Sequence, residues 1–416
     1  MQLEKYSMGI GDRFAHQGRA QLQAIARAKS EGFDVVPVWN KSHREHLATK
    51  SMPGSVRTEA DQAVQALSWD GSYYVDADHI GLQMVDLFMD SSDFFTIDVA
   101  DAIGQAAAED DVKAFVDQNE RYIGTLEIPN IAEAFETSRE QVEGIANQFL
   151  RAVRQAGQIY RHIEGAKGRD GFVPEVSMDE TDTPQTPVEL FFILAAIADE
   201  GIPIQTIAPK FTGRFNKGVN YVGDVDQFGK EFEEDIAVIA FAVQEFGLPE
   251  NLKLSVHSGS DKFSIYEPIC RAMQKFNAGL HLKTAGTTWL EELIGLALAG
   301  GDGLSLAKEI YRVSLDRFEE LCGPYWAVID IDSDCLPRPE VLDSWSGEAF
   351  AAALRHDPSC VQYNPHFRQL LHVAYKVAAE MGDRYLDALD RFETVIAENV
   401  MENIYERHLK RIFIVG

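Results

Sequence analysis

The sequence predicts an α/β protein built as a (β/α)8 TIM-like barrel with a helical insertion and a helical C-terminal extension. Three observations carry that expectation. Short runs of β-branched and aromatic residues recur along the chain, helical patterns lie between them, and most of the runs end in a charged or imidazole residue. Each run has the length of a strand buried on both faces.

Taken in order, the runs are YSMGIGD around Met8, FDVVPVWN at 33–40, SYYVDADH at 72–79 and DFFTIDVAD at 93–101. They continue with FVPEVSMDE at 172–180, IPIQTIAPK at 202–210, LKLSVHSGSDK at 252–262, LHLKTAG at 280–286 and YWAVIDID at 325–332. Helical patterns stand at 18–32 and 56–69, and Thr186-Pro187-Val188-Glu189 reads as a helix start. There Thr caps, Pro suits the first helical position and Glu returns the cap. A doubly wound nucleotide-binding sheet is the competing architecture. Its glycine turn would fall at Gly9-Ile10-Gly11-Asp12-Arg13-Phe14, which lacks the third glycine and sets a carboxylate where a phosphate would sit. The barrel is preferred, over residues 1–335, with a helical insertion at about 102–170. Residues 336–416 open on Leu336-Pro337-Arg338-Pro339 and read as the helical extension.

Acidic residues outnumber basic ones by 66 to 38, a net charge of −28. Such a surface repels phosphate backbones and anionic lipid, so neither nucleic acid nor a membrane is the expected partner. An acidic small molecule would need a local cluster of Lys or Arg. The four cysteines form no C-x-x-C pair, and the opening MQLEKYSMGIGDRF has no basic stretch followed by an apolar core. The longest apolar run, near 188–198, is too short for a bilayer. A cytoplasmic protein is expected, and the sequence is compatible with a homo-oligomer.

In a barrel the carboxyl ends of the strands carry the chemistry. Those ends supply Asp12, Arg13, Asn40, Lys41, Asp76, Asp78, His79, Asp98, Glu175, Asp179, Lys210, His257, His281 and Lys283. His79, His257 and His281 end three different strands and are either metal ligands or hydrogen-bonded structural imidazoles. His43, His46, His162 and His356 lie in helix-like or loop surroundings and are expected to be solvated. Asp76 and Asp78 share a strand face, whereas His79 joins them only if the chain turns at that point. Either carboxylate is a base or a partner for an imidazole, and Asp78 alternatively caps the helical segment that follows. Glu175 lies in an apolar run, where burial should raise its pKa. Lys262 and Lys283 follow His257 and His281 and are either a carboxylate clamp or structural ion-pair partners.

Together DADHIGL at 76–82, FFTIDVAD at 94–101, EVSMDETDTPQTP at 175–187, HSGSDKFSIY at 257–266, HLKTAGT at 281–287 and RQLLHVAY at 368–375 resemble the tagaturonate epimerase family. The resemblance implies a metal-dependent epimerase that interconverts tagaturonate and fructuronate in hexuronate catabolism. It implies one divalent cation (Zn, Mn, Co or Ni) on His79, His257 and His281. It further implies Asp78 as proton acceptor and Glu175 as proton donor. Lys262, Lys283, Lys210 and Asp98, read from their placement, are expected to meet the ketohexuronate. The two sugar acids differ at carbon 4, whose hydrogen is not acidic, so enolisation cannot invert it. Deprotonating that hydroxyl permits retro-aldol cleavage between carbons 3 and 4, with a metal polarising the ketone. The competing functions are a metal-dependent aldolase or a related ketohexose 4-epimerase, and a non-catalytic sugar-acid binding protein.

Overall fold

Eight parallel strands close into a barrel in the computed structural model, which describes residues 1–179, 181–259, 261–284 and 287–414. The strands are β1 (Tyr6–Gly11), β2 (Val36–Ser42), β3 (Tyr74–Ile80) and β4 (Phe94–Asp98), then, after the small antiparallel pair β5 (Gly124–Leu126) and β6 (Phe135–Thr137), β7 (Val173–Ser177), β8 (Thr206–Ala208), β9 (Lys253–His257) and β10 (Leu280–Lys283). Around the barrel they follow chain order, and β10 closes on β1. Helices cover the outer faces, so strands such as β2, β7 and β10 are buried at every position.

Helices Gly18–Ser30 and Gly54–Leu67 stand where the sequence patterns put them. Thr186 opens helix Pro187–Asp199 with a complete capping box: the Glu189 amide donates to Thr186 Oγ1 at 3.3 Å, and Glu189 Oε2 accepts from the Thr186 amide at 2.7 Å. The ninth apolar run, YWAVIDID, is not a strand. It forms a 3-10 turn at Gly323–Val328 and then irregular chain. Its backbone is paired without a ladder: the Lys217 amide donates to the Val328 carbonyl at 2.7 Å, and the Asp330 amide to the Gln369 side chain at 2.8 Å.

Within 102–170 the 29-residue helix Arg139–Lys167 carries a buried stripe that includes Val142, Phe149, Val153 and Ile163, and it shares the apolar core of β3, β4 and β7. A second core lies behind β1 and β2 and takes in helix Thr287–Leu298 and the helices that follow to the C-terminus. A methyl group on Gly295 would lie 2.7 Å from the Ile396 Cα, so helix Glu393–Glu402 is seated backbone-close on Thr287–Leu298. Among the described residues no helix is long and apolar enough to cross a membrane.

The close seating is testable. Gly295→Ala should cost about 1–3 kcal/mol by overpacking, read as a lower urea midpoint. Gly144→Ala, on the open face of Arg139–Lys167 with nothing within 4 Å, should be neutral or gain about 0.4–1 kcal/mol.

Candidate active site

The registers of β9, β10, β4 and β7 set Lys283 beside His257 and Thr96 beside Glu175. Gly9 on β1 makes room for this: a Cβ there would fall 2.8 Å from Lys283 Cγ and 3.0 Å from Asn40 Nδ2. The Lys283 ammonium then reaches Asp76 at 2.8 Å, Asp78 at 2.9 Å and Glu175 at 3.1 Å, and also meets Thr96 Oγ1. Thr96 Oγ1 lies 3.0 Å from both Asp76 Oδ1 and Glu175 Oε1, so its one proton bridges toward either acid. Burial alone would discharge Lys283, but the three carboxylates outweigh it and hold its pKa well above the usual value. Burial alone would raise Asp78, but Lys283 and then His79 outweigh it and hold its carboxyl at about 2. Asp76 has only part of that compensation and rises to about 6. Asp78 caps no helix; its carboxylate belongs to this cluster.

Two of the expected features differ in their physics. Glu175 lies in an apolar strand, and burial does push its pKa up. Lys283 and His257 push harder in the opposite direction, so the carboxyl sits well below the usual range. His257 Nε2 is 2.9 Å from Glu175 Oε1. The expectation of a raised pKa at Glu175 is therefore corrected by the cations beside it. His46 and His356 are buried rather than solvated: His46 Nδ1 pairs with Ser51 Oγ at 2.8 Å, and His356 Nδ1 faces Asp261 Oδ2 at 3.3 Å.

His79 joins the acids by a turn of the chain. The β3–β4 register slips between Ala77 and Ile80, and His79 adopts a left-handed φ of 52°. A β-bulge with a strained non-glycine residue is a device that re-aims a side chain. The imidazole turns to Asp98, whose Oδ2 lies 2.8 Å from Nδ1. Across the rim, His257 Nδ1 is 3.3 Å from Asp179 Oδ2, and the two imidazole centroids are 5.0 Å apart. His79, Asp179 and His257 offer ligand atoms that all lie within 4.8 Å of one another. His281 stands apart from them. It lies two residues below Lys283 on the inward face of β10, with Nδ1 2.9 Å from Ser7 Oγ and its ring against Phe94. Burial drops its pKa to about 3.

These groups open on a cavity of about 450 Å3. Asp78, His79, Asp98, Asp179, His257 and Lys283 line it, and Glu175 does not. Two lysines expected at the substrate also lie outside it. Lys262 is fully buried and donates to the Asn216 carbonyl at 3.0 Å, and Lys210 Nζ lies 3.5 Å from the Asp179 carbonyl. Asp98 spends its oxygens on His79 and on the Ala100 amide at 3.0 Å. The wall is completed by Arg13, Asn40, Arg44, Lys217 and His372. Arg13 and Asn40 were legible as strand ends, and His372 lies in the RQLLHVAY block. Lys217 falls in the irregular chain between β8 and helix Val225–Phe246, where no sequence period marks it.

Polar groups gathered at the carboxyl ends of a closed parallel barrel define a barrel enzyme. The family model for tagaturonate epimerase matches residues 1–412. A tagaturonate/fructuronate epimerase of Thermotoga maritima is 28% identical over 422 residues, spanning 97% of this chain and 80% of that protein. The fold is shared with solved structures of the fructuronate-tagaturonate epimerase of Cohnella laeviribosi. A glycerol complex superposes with a TM-score of 0.80 at 24% identity, covering 99% of this chain and 82% of that one. The native form gives 0.79 at 23% identity with the same coverage. The chain belongs to the tagaturonate epimerase family and is an isomerase.

The Lys283 cluster generates a stability prediction. Lys283→Met leaves three buried carboxyls facing one another and should cost about 3–5 kcal/mol. In the wild type, Asp78 and Glu175 are held below their unfolded values, so their contribution is present above pH of about 4 and is lost as pH falls. In the variant the same carboxyls titrate above their unfolded values, so its stability should decline as pH rises from about 4 to 8. Urea midpoints across that range check the sign. Asp76, already raised to about 6, makes the parent lose some stability over the same range, so a variant whose midpoint falls no more than its parent's between about pH 4 and 8 contradicts the cluster.

Proposed function

We propose that the protein interconverts D-tagaturonate and D-fructuronate, inverting carbon 4 by retro-aldol cleavage and re-addition, with one divalent cation at the rim. The observation that supports this reading best is the cavity wall. Both amide atoms of Asn40, Nη1 of Arg13 and Nε2 of His372 are buried there without a hydrogen-bond partner among the described residues. Each unpaired buried group costs about 1–3 kcal/mol, so such a wall suits a polyhydroxylated ligand. The volume is that of an ordinary small-molecule pocket.

The donor set fits a divalent ion of the Zn, Mn, Co or Ni kind: two imidazoles and a carboxylate, with His257 Nδ1 buried and lacking a hydrogen bond. Asp98 holds the other nitrogen of His79, and Glu175 holds the other nitrogen of His257. That is the pattern by which carboxylates orient metal-binding imidazoles. We therefore read Glu175 as an orienting residue rather than the proton donor, because it is charged and does not reach the cavity. A cation held by His79, Asp179 and His257 would supply Lewis acidity to the substrate ketone. Asp78, ionised and on the cavity wall, takes the carbon-4 hydroxyl proton. The bond between carbons 3 and 4 breaks, its electrons pass to the ketone side, and carbon 4 becomes an aldehyde. After the aldehyde turns, carbon 3 adds to its other face. Lys283 lines the same wall and returns a proton to the new alkoxide, and its 2.9 Å hydrogen bond to Asp78 restores both groups. Lys283 is unsuited to a Schiff base, which needs a lysine of depressed pKa. The four cysteines are free, which fits a reducing cytoplasm.

Nuclear magnetic resonance of tagaturonate incubated with the protein and a divalent metal should show fructuronate. Three-carbon products would indicate an aldolase, and unchanged substrate a binding protein. Asp78→Asn should lower turnover about 10²–10⁴-fold while keeping the metal.

Metal analysis separates the ligand sets. His257→Ala and Asp179→Ala should lose the metal, and His281→Ala should retain it. Glu175→Gln should weaken metal affinity about 10–100-fold. Full metal affinity with a collapsed rate would return Glu175 to the role of proton donor.

A further inference from the structure

The cavity's cations are not spread evenly. A small recess adjoining the cavity is lined by Arg13, Arg44, Glu45, Lys217, Tyr325, His372, Val373 and Tyr375, and it includes none of Asp78, His79, Asp179 or His257. Arg13 is pinned there by Glu45 at 3.0 Å and by the Tyr375 ring 4.4 Å from its guanidinium carbon, yet its Nη1 is buried and unpartnered. Lys217 Nζ makes no hydrogen bond or ion pair among the described residues; it lies 3.8 Å from where a side chain on Gly259 would start, just past His257. His372 is buried with Nε2 unpartnered, and burial and then Arg13 and Lys217 drive its pKa well below the usual value, so it stays neutral. In a protein of net charge −28 this is a local concentration of cations with unused donors. Lys283, the other cation on the cavity wall in these terms, is already saturated by three carboxylates.

We propose that Arg13 and Lys217, with His372 beside them, form a carboxylate-binding subsite that holds the acid end of the substrate through bond cleavage. The proposal rests on the ketohexuronate and retro-aldol reading above. When the bond between carbons 3 and 4 of such a sugar acid breaks, carbons 4 to 6 leave as an aldehyde that carries the carboxylate. Carbons 1 to 3 form the enediolate, which takes the bonding electrons. Anchoring the carboxylate lets the aldehyde turn about the bond between carbons 4 and 5 while its far end stays in place. Re-addition then outruns escape, which is the difference between an epimerase and an aldolase. A guanidinium and an ammonium are suited to this because charge-assisted bonds to a carboxylate are strong and geometrically specific.

The test uses Lys217→Gln and the conservative Arg13→Lys in the metal-loaded enzyme, each first shown by thermal unfolding to be folded. Calorimetry compares D-galactonate, an acid with no ketone to react, with galactitol, its neutral counterpart. The wild type should prefer the acid, and each variant should lose roughly 10- to 100-fold of that preference, the worth of one charge-assisted hydrogen bond. With tagaturonate, both variants should release three-carbon fragments that the wild type retains. Variants that keep the acid preference overturn the subsite. Variants that lose the preference without releasing fragments overturn the retention role. Should the wild type produce no fructuronate while the variants still lose the acid preference, the subsite stands and the epimerase reading falls.

Discussion

One ammonium group organises the mouth of this barrel. Lys283 sits among Asp76, Asp78 and Glu175, all buried, and without it three acids from β3 and β7, the two strands that flank β4, could not remain ionised in one place. It keeps Asp78 charged on the cavity wall and Glu175 charged beneath it, where Glu175 grips His257. The proposed metal ligands, the candidate base and the stability of the strand ends thus share one electrostatic constraint. Gly9 is part of it, because a side chain at that position would occupy the space of the lysine stem.

A second buried network fastens the C-terminal helices to this rim. Asp261, in the loop after β9, accepts from Arg368 Nη2 at 3.0 Å and faces His356 at 3.3 Å and His408 Nε2 at 3.0 Å. Arg368 also donates to the carbonyls of Gly218 and Leu354, so this fully buried charge is satisfied on every side. Removing one partner of a buried pair of this kind costs about 3–5 kcal/mol, because the other charge is left buried and uncompensated. Here the network seats helix Pro365–Val373, and with it His372, over the cavity, while the Gly218 carbonyl anchors the segment that bears Lys217.

Much of the fold was legible because parallel strands bury both faces and so appear as short apolar runs. The first eight runs are the eight barrel strands. The ninth failed because apolarity alone does not make a strand: in YWAVIDID only Ile329 is buried, Tyr325 and Ile331 pack partly against the second core, and Trp326 is exposed. For the site, inward-facing positions were legible and their depth was not. His281 and Lys283 alternate on one face of β10, but only Lys283 is level with the cavity; His281 lies two residues, about 6.6 Å of strand, further in. The same holds on β7, where Glu175 is below the wall and Asp179, just past the strand, is on it. Turning His79 into the rim needed a left-handed backbone, which no side-chain pattern announces. Lys217 lies on irregular chain and had no signal.

The proposed metal centre is two imidazoles and one carboxylate at the rim, each imidazole oriented by its own acid and supported by the Lys283 cluster. Anomalous diffraction from crystals of the protein soaked in cobalt or manganese tests this most directly. One strong peak is expected, bounded by His79, Asp179 and His257, with Asp98 and Glu175 still on the outer nitrogens. A peak ligated by His281, or a rim that stays empty while the crystals convert tagaturonate, would contradict it.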